Sequence, residues 1–268
     1  MSGAARVRRR LHGPGVVVLA AGSVLARGEL VGALLLVGGA WTTLVVLEAT
    51  GVATTLHHHA LIETGPPPWV AILLFLGAWQ VMVAAMMVPA SLPAIGYVTR
   101  AATARVASGR AELTFLAGFF LVWAAFGLGA FLGDMVVHRI VDSTPWLASR
   151  PWLVEAGVLA LAGGYQFMPR KHRDLERCRR PGDHRATTGG PQGRAARLGL
   201  DHGIACVGAS WALMLLMFGE GFGSLIWMVA LTGVMVLETY LPSPRRLSNA
   251  VAVGLIVLAL STLSGPLG

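Results

Sequence analysis

The chain has 268 residues, 55% of them hydrophobic and 13% charged, with a mean hydropathy of +0.67, against about 25% charged residues in soluble domains. That balance excludes a soluble globular domain and predicts one all-α, polytopic transmembrane helix bundle over residues 1–268. The net charge of +8 belongs to the polar connections, where it reflects membrane topology and anionic lipid; no nucleic-acid motif is present.

The N-terminus is basic, with Arg6, Arg8, Arg9 and Arg10. Residues 14–26 have the length of a signal-peptide core but lack a convincing small-residue cleavage site, so the segment is expected to be retained. Runs of roughly 20 apolar residues place seven spans, near 30–53, 69–94, 113–133, 151–168, 200–218, 222–241 and 247–265. An eighth is added if 14–26 forms half of a tight hairpin. With the N-terminus cytoplasmic, 19 of the 21 Lys and Arg residues fall in cytoplasmic segments, leaving Arg139 and Arg150 outside. This asymmetry is what the positive-inside rule requires.

The outer segment 54–68 carries His57, His58 and His59, either a metal-collecting patch or a solvated loop whose prolines position the next helix. In the second span Trp79, Met82 and Met86 fall on one helical face, with Met87 beside them, and Pro89 and Pro93 remove donors from the cytoplasmic end. Such a methionine stripe serves either packing or ligation. The glycines of the third and fourth spans (Gly118, Gly127, Gly129, Gly133; Gly157, Gly163, Gly164) suit close helix contact. Asp134, His138 and Asp142 share a stripe by their spacing of four, readable as a solvated helix end or a second metal-collecting surface.

Residues 169–199 read as a basic cytoplasmic loop, disordered in its second half and held against anionic lipid, with nine basic residues against three acidic. Within it Cys178, between Arg177 and Arg179, is expected to favour the thiolate and to act as a mobile metal ligand or as an incidental thiol. The fifth span aligns His202, Cys206, Ser210 and Met217 with Met214 beside them, and the sixth aligns Met228, Met235 and Glu238. An ionisable group inside a membrane is a functional candidate. The topology sets His202, Cys206, Glu238, Met86 and Met87 at one depth near the cytoplasmic face. The candidate metal ligands are therefore His202, Cys206, Met82, Met86, Met87, Met214, Glu238 and Cys178. Thiolate, thioether and imidazole together select soft ions, Cu(I) first and Zn(II) second. Asp201 and Glu238 are candidates to orient His202 or to pair with arginines.

The chain carries Trp79-x-x-Met82-x-x-Ala85-Met86-Met87-x-Pro89, Tyr165-Gln166, Cys178-Arg179 with Pro181, and Gly199-x-x-His202-Gly203-x-x-Cys206-x-Gly208-x-x-Trp211-x-x-Met214. Gly221, Trp227-Met228 and Glu238 follow. Over about 69–240 this pattern resembles a family of bacterial integral membrane proteins predicted to bind metal, a domain of unknown function. The resemblance implies a multi-pass protein of the bacterial inner membrane. Members commonly carry a further cysteine just before the tryptophan, where this chain has Ala209 and Ser210, and a lysine after the glutamate, where it has Thr239. The expected function is binding of a soft transition metal, with its transport or delivery to a metallochaperone or membrane partner subunit. The alternative is a metal-dependent membrane enzyme or an accessory subunit of one. No nucleotide-binding loop is present, so any transport relies on a gradient or a partner.

Overall fold

A computed structural model describes residues 30–55, 61, 66–101, 105–180, 190–220 and 224–264. Residues 14–26 and His57–His59 lie outside the described residues. Ten helices account for the described secondary structure: α1 (Val31–Ala49), α2 (Val52–Thr55), α3 (Pro68–Arg100), α4 (Arg105–Ser143), α5 (Pro145–Ala148), α6 (Pro151–Gln166), α7 (Pro169–Arg179), α8 (Pro191–Glu220), α9 (Leu225–Tyr240) and α10 (Pro244–Ser264). Six of them begin on a proline, whose fixed φ and missing N–H suit the first helical position.

Each of the seven expected apolar segments coincides with a helix. Five of these helices, α1, α3, α4, α8 and α10, are long and apolar enough to cross a membrane. The other two, α6 and α9, have 16 residues each, about 24 Å of rise against a hydrocarbon core of about 30 Å. Among the described residues, five helices thus reach the length for a full crossing, and the expected seven or eight is not reached on that measure. Large apolar side chains lie exposed along the outer helices, including Leu35 on α1, Leu113 on α4 and Val257 on α10, the surface expected where lipid is the solvent.

The centre of the bundle is α3 and α8, which bury the largest shares of their apolar windows. The α4–α8 contact is the most extensive of the fold, and it depends on backbone approach. A Cβ on Gly199 would collide with the carbonyl of Phe115, and one on Gly118 would stand 2.6 Å from the carbonyl of Ala196. On another face of α4, the Trp79 indole donates to the Trp123 carbonyl at 2.9 Å, and Gln80 donates to the Phe120 carbonyl at 2.8 Å. These bonds fix the register of α3 against α4.

Pro89 and Pro93 were expected to break the end of the second span, yet α3 continues through both to Arg100. Each proline deprives the carbonyl four residues earlier of its helical donor. For Pro89 that carbonyl is Ala85, and the Trp41 indole of α1 donates to it at 3.1 Å. For Pro93 it is Pro89, and the Tyr240 hydroxyl of α9 donates to it at 3.3 Å. Two aromatic donors from neighbouring helices replace the two missing amides, which removes the cost of bare carbonyls inside the bundle.

The segment read as a basic loop, disordered in its second half, is corrected at both ends, since residues 191–199 already belong to α8. Pro169–Arg179 forms the helix α7, with Lys171, Asp174, Leu175 and Cys178 buried on one side. Those positions recur at three- and four-residue intervals, the period of a helical face. That face docks on α8 and α9.

Candidate metal centre

Five helices or helix ends meet where α7 crosses the bundle. The Lys171 ammonium is fully buried there and lies 2.5 Å from Glu238 Oε1 of α9. It also donates to Gln166 Oε1 at the end of α6 and to Ser248 Oγ of α10, the latter at 3.3 Å, while Ser248 donates to Glu238 Oε1 at 2.6 Å. A buried ammonium with three oxygen partners and a buried carboxylate with two donors satisfy one another. Burial lowers the Lys171 pKa from its ordinary value, with Glu238 pulling the other way. The carboxylate expected to serve the metal, or to pair with an arginine, is instead engaged by this lysine.

Beside this network is a small cavity of about 20 Å³, room for roughly one water or a single ion. Its wall includes Met87 and Ser91 from α3, Cys178 from α7, His202 and Cys206 from α8, and Met235 and Glu238 from α9. Cys206 Sγ stands 3.9 Å from Met87 Sδ, and the Ser210 hydroxyl, which donates to the Cys206 carbonyl at 2.7 Å, stands 3.8 Å from the same sulfur. Cys178 joins the same wall from α7, near enough to Cys206 for the two thiols to affect each other's ionisation. Both cysteines are buried and free of disulfide. Three sulfur atoms from three helices thus converge on one cavity.

Cys178 does not have the expected thiolate setting. Its contact with the Cys206 thiol, and then burial, hold its pKa well above the ordinary value. The arginines flanking it in sequence point elsewhere, because successive helical residues are 100° apart. Arg177 bonds Asp174 at 3.1 Å and Arg179 bonds the Leu241 carbonyl at 2.6 Å.

His202 packs against the rings of Phe115 and Phe119, with centroids 5.6 and 5.9 Å away. Its Nε2 is 3.1 Å from Ser91 Oγ. The Ser91 hydroxyl donates to the Met87 carbonyl at 2.9 Å, so its lone pair is what accepts from Nε2–H. His202 therefore lines the cavity with this nitrogen bonded to Ser91, and Asp201 is exposed on α8.

Of the eight residues expected to ligate, Met87, Cys178, His202, Cys206 and Glu238 line the cavity, whereas Met82, Met86 and Met214 are buried in the core outside its wall. Helical geometry separates Met86 from Met87: neighbours on α3 diverge by 100° and cannot address one point. Met235 and Ser91 are wall residues that were not among the expected ligands. Ser91 was legible in principle, since it lies one helical turn beyond Met87. Among the described residues no group of three or more His, Cys, Asp or Glu side chains is arranged to hold a metal. The convergent donors here are sulfurs, two of them thiols and one a thioether. On the other expected stripe, His138 Nδ1 stands 3.0 Å from the Asp134 carbonyl and 3.5 Å from Asp134 Oδ2.

Fold and site together describe an apolar, all-helical protein with a buried, sulfur-lined cavity roofed by a short basic helix. A family model described as PpoB2, copper chaperone, matches residues 76–262, well over half of the chain, and the protein belongs to this copper chaperone family. No curated protein and no solved structure matches the chain.

Proposed function

We propose that this protein is an integral membrane member of its copper chaperone family, one that holds Cu(I) between Cys178, Cys206 and Met87 and passes it on. The observation that carries the reading is the convergence of two thiols and a thioether on a cavity the size of one ion. Soft sulfur donors in low coordination suit Cu(I). Zn(II), which takes four ligands including imidazole or carboxylate, is less well served, because His202 and Glu238 are engaged by Ser91 and Lys171. Met235 stands on the cavity wall as a further thioether, and His202 holds Ser91 and hence the Met87 turn in place.

The five long apolar helices and the asymmetry of Lys and Arg support a bacterial inner-membrane location with the cavity near the cytoplasmic face. Met87 lies about 28 Å along α3 from Pro68, so the site sits at the edge of a bilayer whose core is about 30 Å thick. Cys178 is supplied by α7, a helix outside the spans, with its thiol turned in to the cavity; displacement of α7 would open the ion to a soluble acceptor. Copper content and Cu(I) competition titration of the purified protein test the reading. Wild type is expected to bind one Cu(I) per chain and Cys178→Ser with Cys206→Ser to bind none; equal copper in both would sink the site.

A further inference from the structure

On the outer face of the bundle, away from the sulfur cavity, a groove of about 1020 Å³ runs between α4, α6 and α8. Its wall is apolar, with Val122, Leu161, Ile204 and Val207 along it, and Leu161 and Ile204 are 50% and 60% exposed. One end is different. There Arg170, Arg173 and Arg177 of α7 border the groove together with a single carboxylate, Asp174, which is 3.1 Å from Arg177 and 3.9 Å from Arg170. Tyr165 and Trp211 pack edge to face at the same end, with centroids 4.8 Å apart. The Tyr165 hydroxyl donates to the Gly208 carbonyl at 2.5 Å, which fixes this end of the groove wall.

We propose that this groove binds one anionic phospholipid, with its phosphate among the three guanidiniums and an acyl chain along the apolar wall. Three arginines against one carboxylate call for an anion, and arginine forks match phosphate geometry. A free anion would leave the apolar wall uncovered, and a neutral lipid would leave three guanidinium charges balanced by Asp174 alone. Only an occupant with both parts covers both ends. The same lipid would tie α7 to α6 and α8, where the Asp174 carboxylate lies against Gly208 on the face of α7 that also carries Cys178.

Gly164 offers a clean probe, since it lines the groove and a Cβ there meets nothing within 4 Å. Full-length protein is extracted from vesicles containing equal amounts of phosphatidylglycerol and phosphatidylcholine, and bound lipid is read by native mass spectrometry. Wild type is expected to retain one phosphatidylglycerol per chain at least about tenfold over phosphatidylcholine, a difference of about 1.4 kcal/mol. Gly164→Leu, which fills the groove but keeps every arginine, and Arg173→Gln with Arg177→Gln are each expected to abolish that preference. Equal retention of the two lipids by wild type, unchanged retention in both variants, or displacement of the lipid by millimolar inorganic phosphate would overturn the proposal. So would a second copy of the chain found in place of lipid. The proposal rests on the membrane reading, which carbonate extraction tests separately: release of the chain into the soluble fraction defeats that reading, whereas lost lipid selectivity in a membrane-retained chain defeats the lipid site alone.

Discussion

Lys171 and Glu238, 67 residues apart, form a fully buried ion pair that fastens the basic helix α7 to α9. Removing one partner leaves the other charged and unpaired in the interior, a loss of about 3–5 kcal/mol. Lys171→Met is therefore expected to lower thermal stability in detergent sharply, as read by fluorescence-detected size exclusion on heating. Lys171→Met combined with Glu238→Leu is expected to recover at least half of that loss. A double variant no more stable than the single one would show that the pair is not the main tether of α7.

The proline-spanning stretch of α3 makes a second prediction. Trp41→Phe strips the Ala85 carbonyl of its donor and is expected to cost about 1–3 kcal/mol. Pro89→Ala in the same background restores the amide that would have bonded Ala85, and is expected to return most of the stability. The comparison uses unfolding midpoints of the single and double variants. Failure of Pro89→Ala to rescue would mean that Trp41 acts through packing alone.

Close approach of α4 and α8 separates two glycines of the same helix. Gly199→Ala drives a Cβ into the Phe115 carbonyl, a backbone atom that cannot step aside, whereas a Cβ at Gly193 meets nothing within 4 Å. Gly199→Ala is expected to destabilise by about 1–3 kcal/mol, and Gly193→Ala to be neutral or slightly stabilising. Yield and melting temperature of the two variants, prepared side by side, decide the matter.

Adjacent methionines are expected to behave differently toward copper. Met87→Leu removes the thioether 3.9 Å from Cys206 Sγ, and is expected to weaken Cu(I) affinity at least about tenfold, roughly 1.4 kcal/mol. Met86→Leu changes a buried core contact by a volume-conserving swap and is expected to leave affinity within about twofold. Equal effects of the two substitutions would contradict the register of α3 described above.

Much of this architecture was readable from residue pattern. Apolar runs gave the position of every main helix, and prolines at Pro68, Pro151 and Pro244 marked where helices start. The charge asymmetry set Met86, Met87, His202, Cys206 and Glu238 at one level; four of these five line one cavity, and Met86 does not. What pattern did not supply was direction and partnership. Gly118, Gly127 and Gly163 lie against neighbouring chain atoms, while Gly129, Gly133, Gly157 and Gly164 face open space, and nothing local to each glycine distinguishes the two groups. Lys171 looked like one more solvated charge in a basic segment; its burial depends on Gln166, Glu238 and Ser248, which are scattered over 82 positions of sequence. The pairing of Cys178 with Cys206 likewise required knowing that residues 169–179 fold as a helix and which side of it docks.

The bond between Tyr240 and Pro89 bears on how the chain is built. Those residues are 151 positions apart, so while the ribosome is still making the middle of the protein, the carbonyl exposed by Pro93 has no partner. Only when α9 arrives does it gain one, and α9 also delivers Met235 and Glu238 to the cavity wall. Completion of the α3 backbone and closure of the sulfur cavity are thereby the same late step, and a nascent chain lacking its last two helices has neither.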